Sequence, residues 1–100
     1  MAKEVILTPT ANRNFLTIID YLSTYWGVNV TNNFIDRFEQ VLILLAEDPG
    51  MFQFLDRTKR VQKCIKTKHN ILYFKETAKT IRILTIFDTR QDPKKLSSII

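Results

Sequence analysis

Basic side chains supply most of the chemistry that this sequence offers, and they are concentrated in its second half. Residues 51–100 hold twelve lysines and arginines against four acidic residues, whereas residues 1–50 hold three against six. Such asymmetry indicates a partner that is a polyanion or an acidic protein. The candidate residues for binding it are Arg57, Lys59, Arg60, Lys63, Lys66, Lys68, Arg82 and Arg90.

Some of these cations also suit the cleavage of a phosphodiester, because they can stabilise the charge that builds up in its transition state. Histidine is the residue type best suited to proton transfer near neutral pH, and His69 is the only one in the chain. The candidate catalytic residues of a ribonuclease would be Lys63, Lys66, His69, Arg82 and Arg90. The alternatives are that His69 is an exposed turn residue and that the lysines protect the edge of a sheet from aggregation.

Arg82 favours a functional role over a structural one. It lies between Ile81 and Ile83 in a run that reads as a β-strand. An arginine with apolar strand neighbours is expected either to pair with another polar group or to have a functional role.

No metal or cofactor site is expected. One histidine and one cysteine give too few nitrogen and sulfur ligands for zinc. The two glycines, Gly27 and Gly50, stand where helices end and form no phosphate-binding loop. Cys64 is expected to be a small buried hydrophobic residue.

Length and composition predict a single domain over residues 1–100, because a chain of this size and 45% hydrophobic content supports one core. The apolar run near the amino terminus is too short for a signal peptide, and no run reaches membrane-spanning length. A single cysteine fits a reducing compartment. We therefore expect a soluble, cytoplasmic protein that makes no use of a membrane.

The first half of the chain predicts a short strand and two helices. Residues 3–7 form an apolar run of strand length, and Thr8-Pro9 is a typical helix start, with a capping threonine and a proline in the first turn. Apolar residues then recur every three or four positions up to Gly27, and again over residues 30–47. A connection this short requires the helices to fold back as an antiparallel hairpin.

The second half predicts a sheet. Residues 61–66, 71–75 and 80–87 are rich in β-branched and aromatic residues and are separated by polar stretches of hairpin length. Alternation in the last run places Ile81, Ile83, Thr85 and Phe87 on one side. Residues 51–55 read as an apolar link. The expected fold is α+β in the order β-α-α-β-β-β: an N-terminal strand, an antiparallel helical hairpin and a three-stranded antiparallel meander.

Three segments of the chain resemble the RelE/ParE superfamily of bacterial toxins. They are the opening Val5-Ile6-Leu7-Thr8-Pro9-Thr10-Ala11, the hinge Tyr25-Trp26-Gly27, and the closing Ile83-Leu84-Thr85-Ile86-Phe87-Asp88-Thr89-Arg90-Gln91-Asp92-Pro93. The resemblance implies the same β-α-α-β-β-β architecture. It also implies a toxin that a cognate antitoxin neutralises, in a type II toxin–antitoxin (plasmid stabilisation) module with a possible toxin–antitoxin hetero-oligomer.

The superfamily divides by target. RelE-like members are endoribonucleases that cut mRNA on the ribosome, and Lys63, Lys66 and Arg90 match their basic positions. ParE-like members inhibit DNA gyrase and need no catalytic residue of their own. The tail from Lys94 onward has neither the tyrosine nor the histidine of RelE-like sites, which favours the ParE-like branch. The RelE-like ribonuclease, with the ribosome and mRNA as partners, and a non-toxic basic binding module are the alternatives.

Overall fold

The structure, a computed structural model, describes residues 3–65 and 69–100, with Ile65 described by its backbone alone. Two long helices pack on one face of a five-stranded sheet, and a short helix follows the last strand. In chain order the elements are β1 (Glu4–Leu7), α1 (Pro9–Tyr25), α2 (Val28–Glu47), a 3₁₀ turn (Pro49–Met51), β2 (Phe54–Asp56), β3 (Val61–Ile65), β4 (Asn70–Glu76), β5 (Thr80–Asp88) and α3 (Pro93–Ile99).

Thr8 begins α1 and also ties it to the sheet. Its hydroxyl oxygen accepts a hydrogen bond from the Ala11 amide at 3.3 Å and donates one to the Ile83 carbonyl at 2.8 Å. Pro9 follows in the first turn, where its missing N–H has no intrahelical partner to lose. The predicted helix start is therefore confirmed, and the same threonine holds α1 against β5.

Gly27 separates α1 from α2 with no further loop. Its φ of +89° is a conformation that glycine adopts at no steric cost, and its amide donates to the Leu22 carbonyl at 3.0 Å. Gly27 is also the N-cap of α2, so this helix begins at Val28, two residues before the predicted start at Val30. Two helices joined this tightly fold back on each other.

Aromatic side chains hold the helical hairpin together and fill the main core. The ring of Phe15 lies 4.8 Å from that of Phe38. Phe38 is 3% exposed, and below it Leu72 and Phe74 of β4 are fully buried. Burial of each such side chain stabilises the fold by roughly 1.5–3 kcal/mol. The apolar stripes read from the sequence therefore face the sheet.

The sheet is larger than the predicted three-stranded meander, and it is mixed. Strands β3, β4 and β5 are antiparallel neighbours as expected, but the full order is β1-β5-β4-β3-β2. Strand β1 pairs with β5 in parallel, and the chain between them, which includes the helical hairpin and β2 to β4, provides the long connection that parallel strands require. Strand β2 pairs with β3 within the segment predicted to be an apolar link, and three residues are too few to show alternation.

A β-bulge at Leu84 makes the predicted face of β5 wrong for Ile86 and Phe87, which lie beyond it. Tyr73 pairs with Thr85 while the next residue of β4, Phe74, pairs with Ile83, so Leu84 has no partner across the ladder. One extra residue inverts the alternation beyond it. As a result Ile86 joins Ile81 and Ile83 in the core under the hairpin, whereas Phe87 lies in a second cluster with Val61 and Tyr73.

The second cluster lies against α3. Asp92 begins this helix by accepting a hydrogen bond from the Lys94 amide at 2.9 Å, and α3 runs for seven residues. Leu96 and Ile100 pack against Tyr73 and Phe87. The sheet face opposite the helical hairpin is therefore partly covered by the end of the chain.

Candidate binding surfaces

The structure distributes the predicted basic residues over three separate places. Arg57, Lys59 and Arg60 occupy the turn between β2 and β3. Lys63 and Arg82 lie on sheet strands, and His69 and Arg90 lie where β4 begins and β5 has ended. Lys66 and Lys68 lie outside the described residues. The described candidates thus form three small groups rather than one continuous site.

In the turn, the guanidinium of Arg57 contacts an aromatic ring, and the backbone of Lys59 bonds to Asp56. The guanidinium carbon of Arg57 stands 4.8 Å from the centroid of the Phe54 ring, a cation–π contact. The Lys59 amide donates to Asp56 Oδ1 at 3.1 Å, and Arg60 follows with a φ of +62°. Arg57 therefore covers an aromatic ring on the short strand β2.

Lys63 and Arg82 share the face of the sheet that is opposite the hairpin. Lys63 pairs with Tyr73, and Arg82 pairs with Lys75, two residues further along β4. Cross-strand partners point to the same side, and so do residues two apart on one strand. We call the surface formed by Lys63, Lys75 and Arg82 the open face. Lys75 was not among the predicted site residues.

Arg82 is exposed on this face rather than held between its apolar neighbours. Ile81 and Ile83 turn into the core, and the strand alternation directs Arg82 the other way. Within residues 3–65 and 69–100, the ion pairs are Lys3–Glu76 and Arg90–Asp88. Arg82 is in neither of them, so its charge is presented to solvent.

Arg90 donates three hydrogen bonds to Asp88. The Arg90 Nε and backbone amide donate to Oδ1 at 3.0 and 2.9 Å, and Nη2 donates to Oδ2 at 2.7 Å. These hydrogen bonds, with a smaller contribution from the charge of His69, lower the pKa of Asp88 to about 2. The same pairing raises the pKa of Arg90. Much of the positive charge of Arg90 is thus balanced locally.

His69 is half-buried rather than the exposed turn residue that was the alternative to a catalytic role. Its carbonyl accepts a hydrogen bond from the Thr89 amide at 2.8 Å, and Asn70 beside it pairs with Asp88. The structure therefore brings His69 together with Asp88 and Arg90.

Tyr73 is part of the second cluster. It is 5% exposed, and its ring meets that of Phe87 edge-on, with 6.4 Å between centroids and 70° between planes. Burial raises the pKa of Tyr73, so the side chain stays protonated at neutral pH.

A groove of about 880 Å³ opens between the two helices and the sheet where β4 begins and β5 ends. We call it the apolar groove; its apolar lining is Ile18, Tyr21, Leu22, Val30, Phe34, Val41 and Leu44. Arg37, Asp88 and Arg90 supply charged groups to it. Tyr21 and Leu44 are 53% and 46% exposed, so the core leaves much of their apolar surface uncovered. This unfilled apolar surface is the feature of the helices that their periodicity alone did not disclose.

The residues that the structure describes contain neither a metal-binding cluster nor a membrane-spanning helix. Within residues 3–65 and 69–100, no group of three or more His, Cys, Asp or Glu side chains is placed to hold a metal ion. In the same residues, no helix has the length and apolarity needed to cross a membrane.

Both the fold and the sequence of this chain are similar to those of known proteins. A solved structure, the "Chromosomal ParDE TA system from P. aeruginosa", superimposes with a TM-score of 0.72, 15% sequence identity, and coverage of 87% of this chain and 96% of that chain. No curated protein gives a significant sequence match. The model of the ParE toxin family, described as "ParE toxin of type II toxin-antitoxin system, parDE", matches residues 5–93. This chain therefore belongs to the ParE toxin family, within the RelE/ParE superfamily that its sequence resembles.

Proposed function

We propose that this protein inhibits growth by binding DNA gyrase, as the toxin of a type II toxin–antitoxin module. The observation that carries the proposal is the family match, which spans residues 5–93 and falls on the ParE branch. The resemblance to that branch implies inhibition by binding, with no catalytic residue in the toxin itself.

The arrangement of the candidate catalytic residues supports a binding mechanism. His69 lies with Asp88 and Arg90 at one end of β5, whereas Lys63 and Arg82 are on the open face. A proton-transfer group and the cations that stabilise phosphate charge must contact the same phosphodiester. Arg90 is moreover paired with Asp88, which reduces the positive charge that Arg90 can present to a substrate.

The apolar groove is the site that we propose for the cognate antitoxin. A segment of an antitoxin that is disordered on its own and orders on binding can lay apolar side chains into a preformed groove. Tyr21, Phe34 and Leu44 provide the apolar walls, and Arg37 provides a cation for an acidic residue of that segment. The complex would be a toxin–antitoxin hetero-oligomer whose affinity weakens as salt is added.

Two purified systems distinguish the possible targets. We expect the toxin to inhibit supercoiling of a relaxed plasmid by gyrase, and we expect a defined message, translated in parallel and mapped by primer extension, to stay intact. His69→Ala should inhibit gyrase as well as the natural protein does, because binding requires no proton transfer. Ribosome-dependent cleavage at codon spacing, with gyrase unaffected, would replace this proposal with the RelE-like ribonuclease.

Growth separates the toxin from the third possibility, a non-toxic basic binding module. Induced expression without an antitoxin should stop growth, and co-expression with the product of the adjacent acidic reading frame should restore it. Unaltered growth at full expression, together with unaltered gyrase, would favour the binding module.

A further inference from the structure

Two cations stand directly opposite each other on the open face. Lys75 of β4 and Arg82 of β5 are paired residues in the antiparallel ladder, where side chains are close neighbours. Like charges in this position repel each other and destabilise the sheet. Lys63, on β3, lies diagonally across from Lys75, because Lys75 pairs with Val61 two residues away. Three central strands therefore present three neighbouring positive charges.

Within residues 3–65 and 69–100, no ion pair neutralises this group. Glu76, next to Lys75, points to the other side of the sheet by alternation, and its carboxylate is bonded to Lys3. The acidic residues on this side, Glu4 and Asp56, belong to the edge strands β1 and β2. Neither forms an ion pair with the three cations within residues 3–65 and 69–100. Glu4 lies diagonally across from Arg82, so within this part of the molecule the repulsion between Lys75 and Arg82 is not relieved by a direct ion pair.

The neighbourhood determines how an anionic ligand would be held. The aromatic rings of Tyr73 and Phe87, which would otherwise stack on bases, are buried under Leu96 of α3 and under Ile100, which follows it. The exposed charges on the three central strands of the face are thus positive, and α3 adds exposed Lys94 and Lys95. Such a surface suits a ligand with regularly repeated negative charges and no need for base recognition.

We propose that the open face binds the phosphate backbone of a nucleic acid without sequence preference. Lys75 and Arg82 make the central contacts and Lys63 a third. The site lies on the opposite side of the sheet from the helical hairpin, and the apolar groove is lined largely by that hairpin. The nucleic-acid site is therefore separate from the groove proposed for the antitoxin, and the inference stands apart from the proposed function.

The test is fluorescence anisotropy with the full chain and a labelled oligothymidylate, and in parallel with a labelled DNA duplex. If three phosphates are neutralised, the slope of log K against log salt should be about −2 for the single strand and about −3 for the duplex. Lys75→Gln and Arg82→Gln should each weaken binding roughly three- to tenfold and reduce that slope by about one. The tighter of the two probes identifies the preferred form of nucleic acid.

Lys79→Gln is the matched control, because Lys79 is an exposed lysine in the turn between β4 and β5 and is not on the open face. It removes the same charge and should leave affinity and slope nearly unchanged. Lys75→Gln should also leave the melting temperature equal or higher, since it relieves the repulsion with Arg82; a purely structural lysine would lower it.

Three results would overturn the proposal. The first is equal loss of affinity in Lys79→Gln and Lys75→Gln, which would indicate a general effect of net charge. The second is the absence of binding to both probes at low salt. The third is displacement of the oligonucleotide by poly-glutamate at equal charge concentration, which would assign the face to an acidic protein.

Discussion

Asn14 of α1 bonds to Thr85 of β5 at the point where the sheet ladder is irregular. Its Oδ1 atom accepts hydrogen bonds from the Thr85 hydroxyl at 2.6 Å and from the Ile86 amide at 3.2 Å. Thr85 is 1% exposed and follows Leu84, the bulged residue. A helix side chain therefore supplies the acceptor for two polar groups beside the bulge.

Removal of this acceptor should destabilise the fold. Asn14→Ala leaves the Thr85 hydroxyl and the Ile86 amide without their partner, and we expect the free energy of unfolding in urea to fall by about 1–3 kcal/mol. Asn12→Ala, at an exposed position of the same helix, is the control and should change it by less than about 0.5 kcal/mol. Equal effects of the two substitutions would show that the Asn14 bonds contribute nothing.

A larger loss of stability is predicted for a substitution in the aromatic core of the hairpin. Phe38→Ala should lower the free energy of unfolding by roughly 3–5 kcal/mol, because the ring is 3% exposed and its loss leaves a cavity. Phe54→Ala is a matched change at a ring that is 38% exposed and should have a much smaller effect. A thermal melt that Phe38→Ala leaves unaltered would contradict the packing of Phe15 against Phe38.

The pair Asp88–Arg90 predicts a dependence of stability on acid. The folded-state pKa of Asp88, about 2, lies below the unfolded value, so its stabilisation is present above pH about 4 and is lost as the pH falls toward 2. Asp88→Asn should therefore melt below the natural protein at neutral pH, and the two should converge near pH 2. A melting difference that stays constant over this range would exclude the ion pair as its cause.

A direct titration complements the melts. The carboxyl resonance of Asp88, followed by NMR, should report a low pKa in the natural protein. Arg90→Ala removes the main cause of that shift, and the pKa should rise toward the ordinary range of an aspartate.

Two neighbouring aliphatic residues of α2, Ile43 and Leu44, test the apolar groove. Leu44 lines the groove and is 46% exposed, whereas Ile43 is 58% exposed and is not part of the lining. Leu44→Asp should weaken antitoxin binding at least tenfold in a calorimetric titration, because it places a charge among apolar side chains. Ile43→Asp should leave the affinity within about twofold. The reverse order of effects would place the antitoxin elsewhere.

The parts of the fold that depend on local pattern were predictable from the sequence. Thr8-Pro9 and Gly27 mark helix boundaries through capping and backbone geometry, which are local properties. The pairing of β1 with β5 was not predictable in this way, since nothing in residues 4–7 encodes a partner 76 residues away. A bulge such as that at Leu84 likewise arises from the register between two strands.

The candidate sites were predictable in composition but not in arrangement. The charge asymmetry drew attention to Lys63, Arg82 and Arg90, but the faces on which they lie follow from the sheet register. Lys75 was overlooked because its importance lies in standing opposite Arg82. The bond between Arg90 and Asp88 was not predictable, because it depends on the turn after β5.

The parallel pairing of β1 with β5 has a consequence for the order in which the protein is made. Glu4–Leu7 is synthesised early, yet its partner residues in the sheet, 80–83, emerge only after both helices and three other strands. The ladder that joins them therefore cannot close during translation of the first 79 residues. Until then α1 and α2 lack the strand beneath them, so a ribosome-bound fragment of this length is not yet a folded toxin.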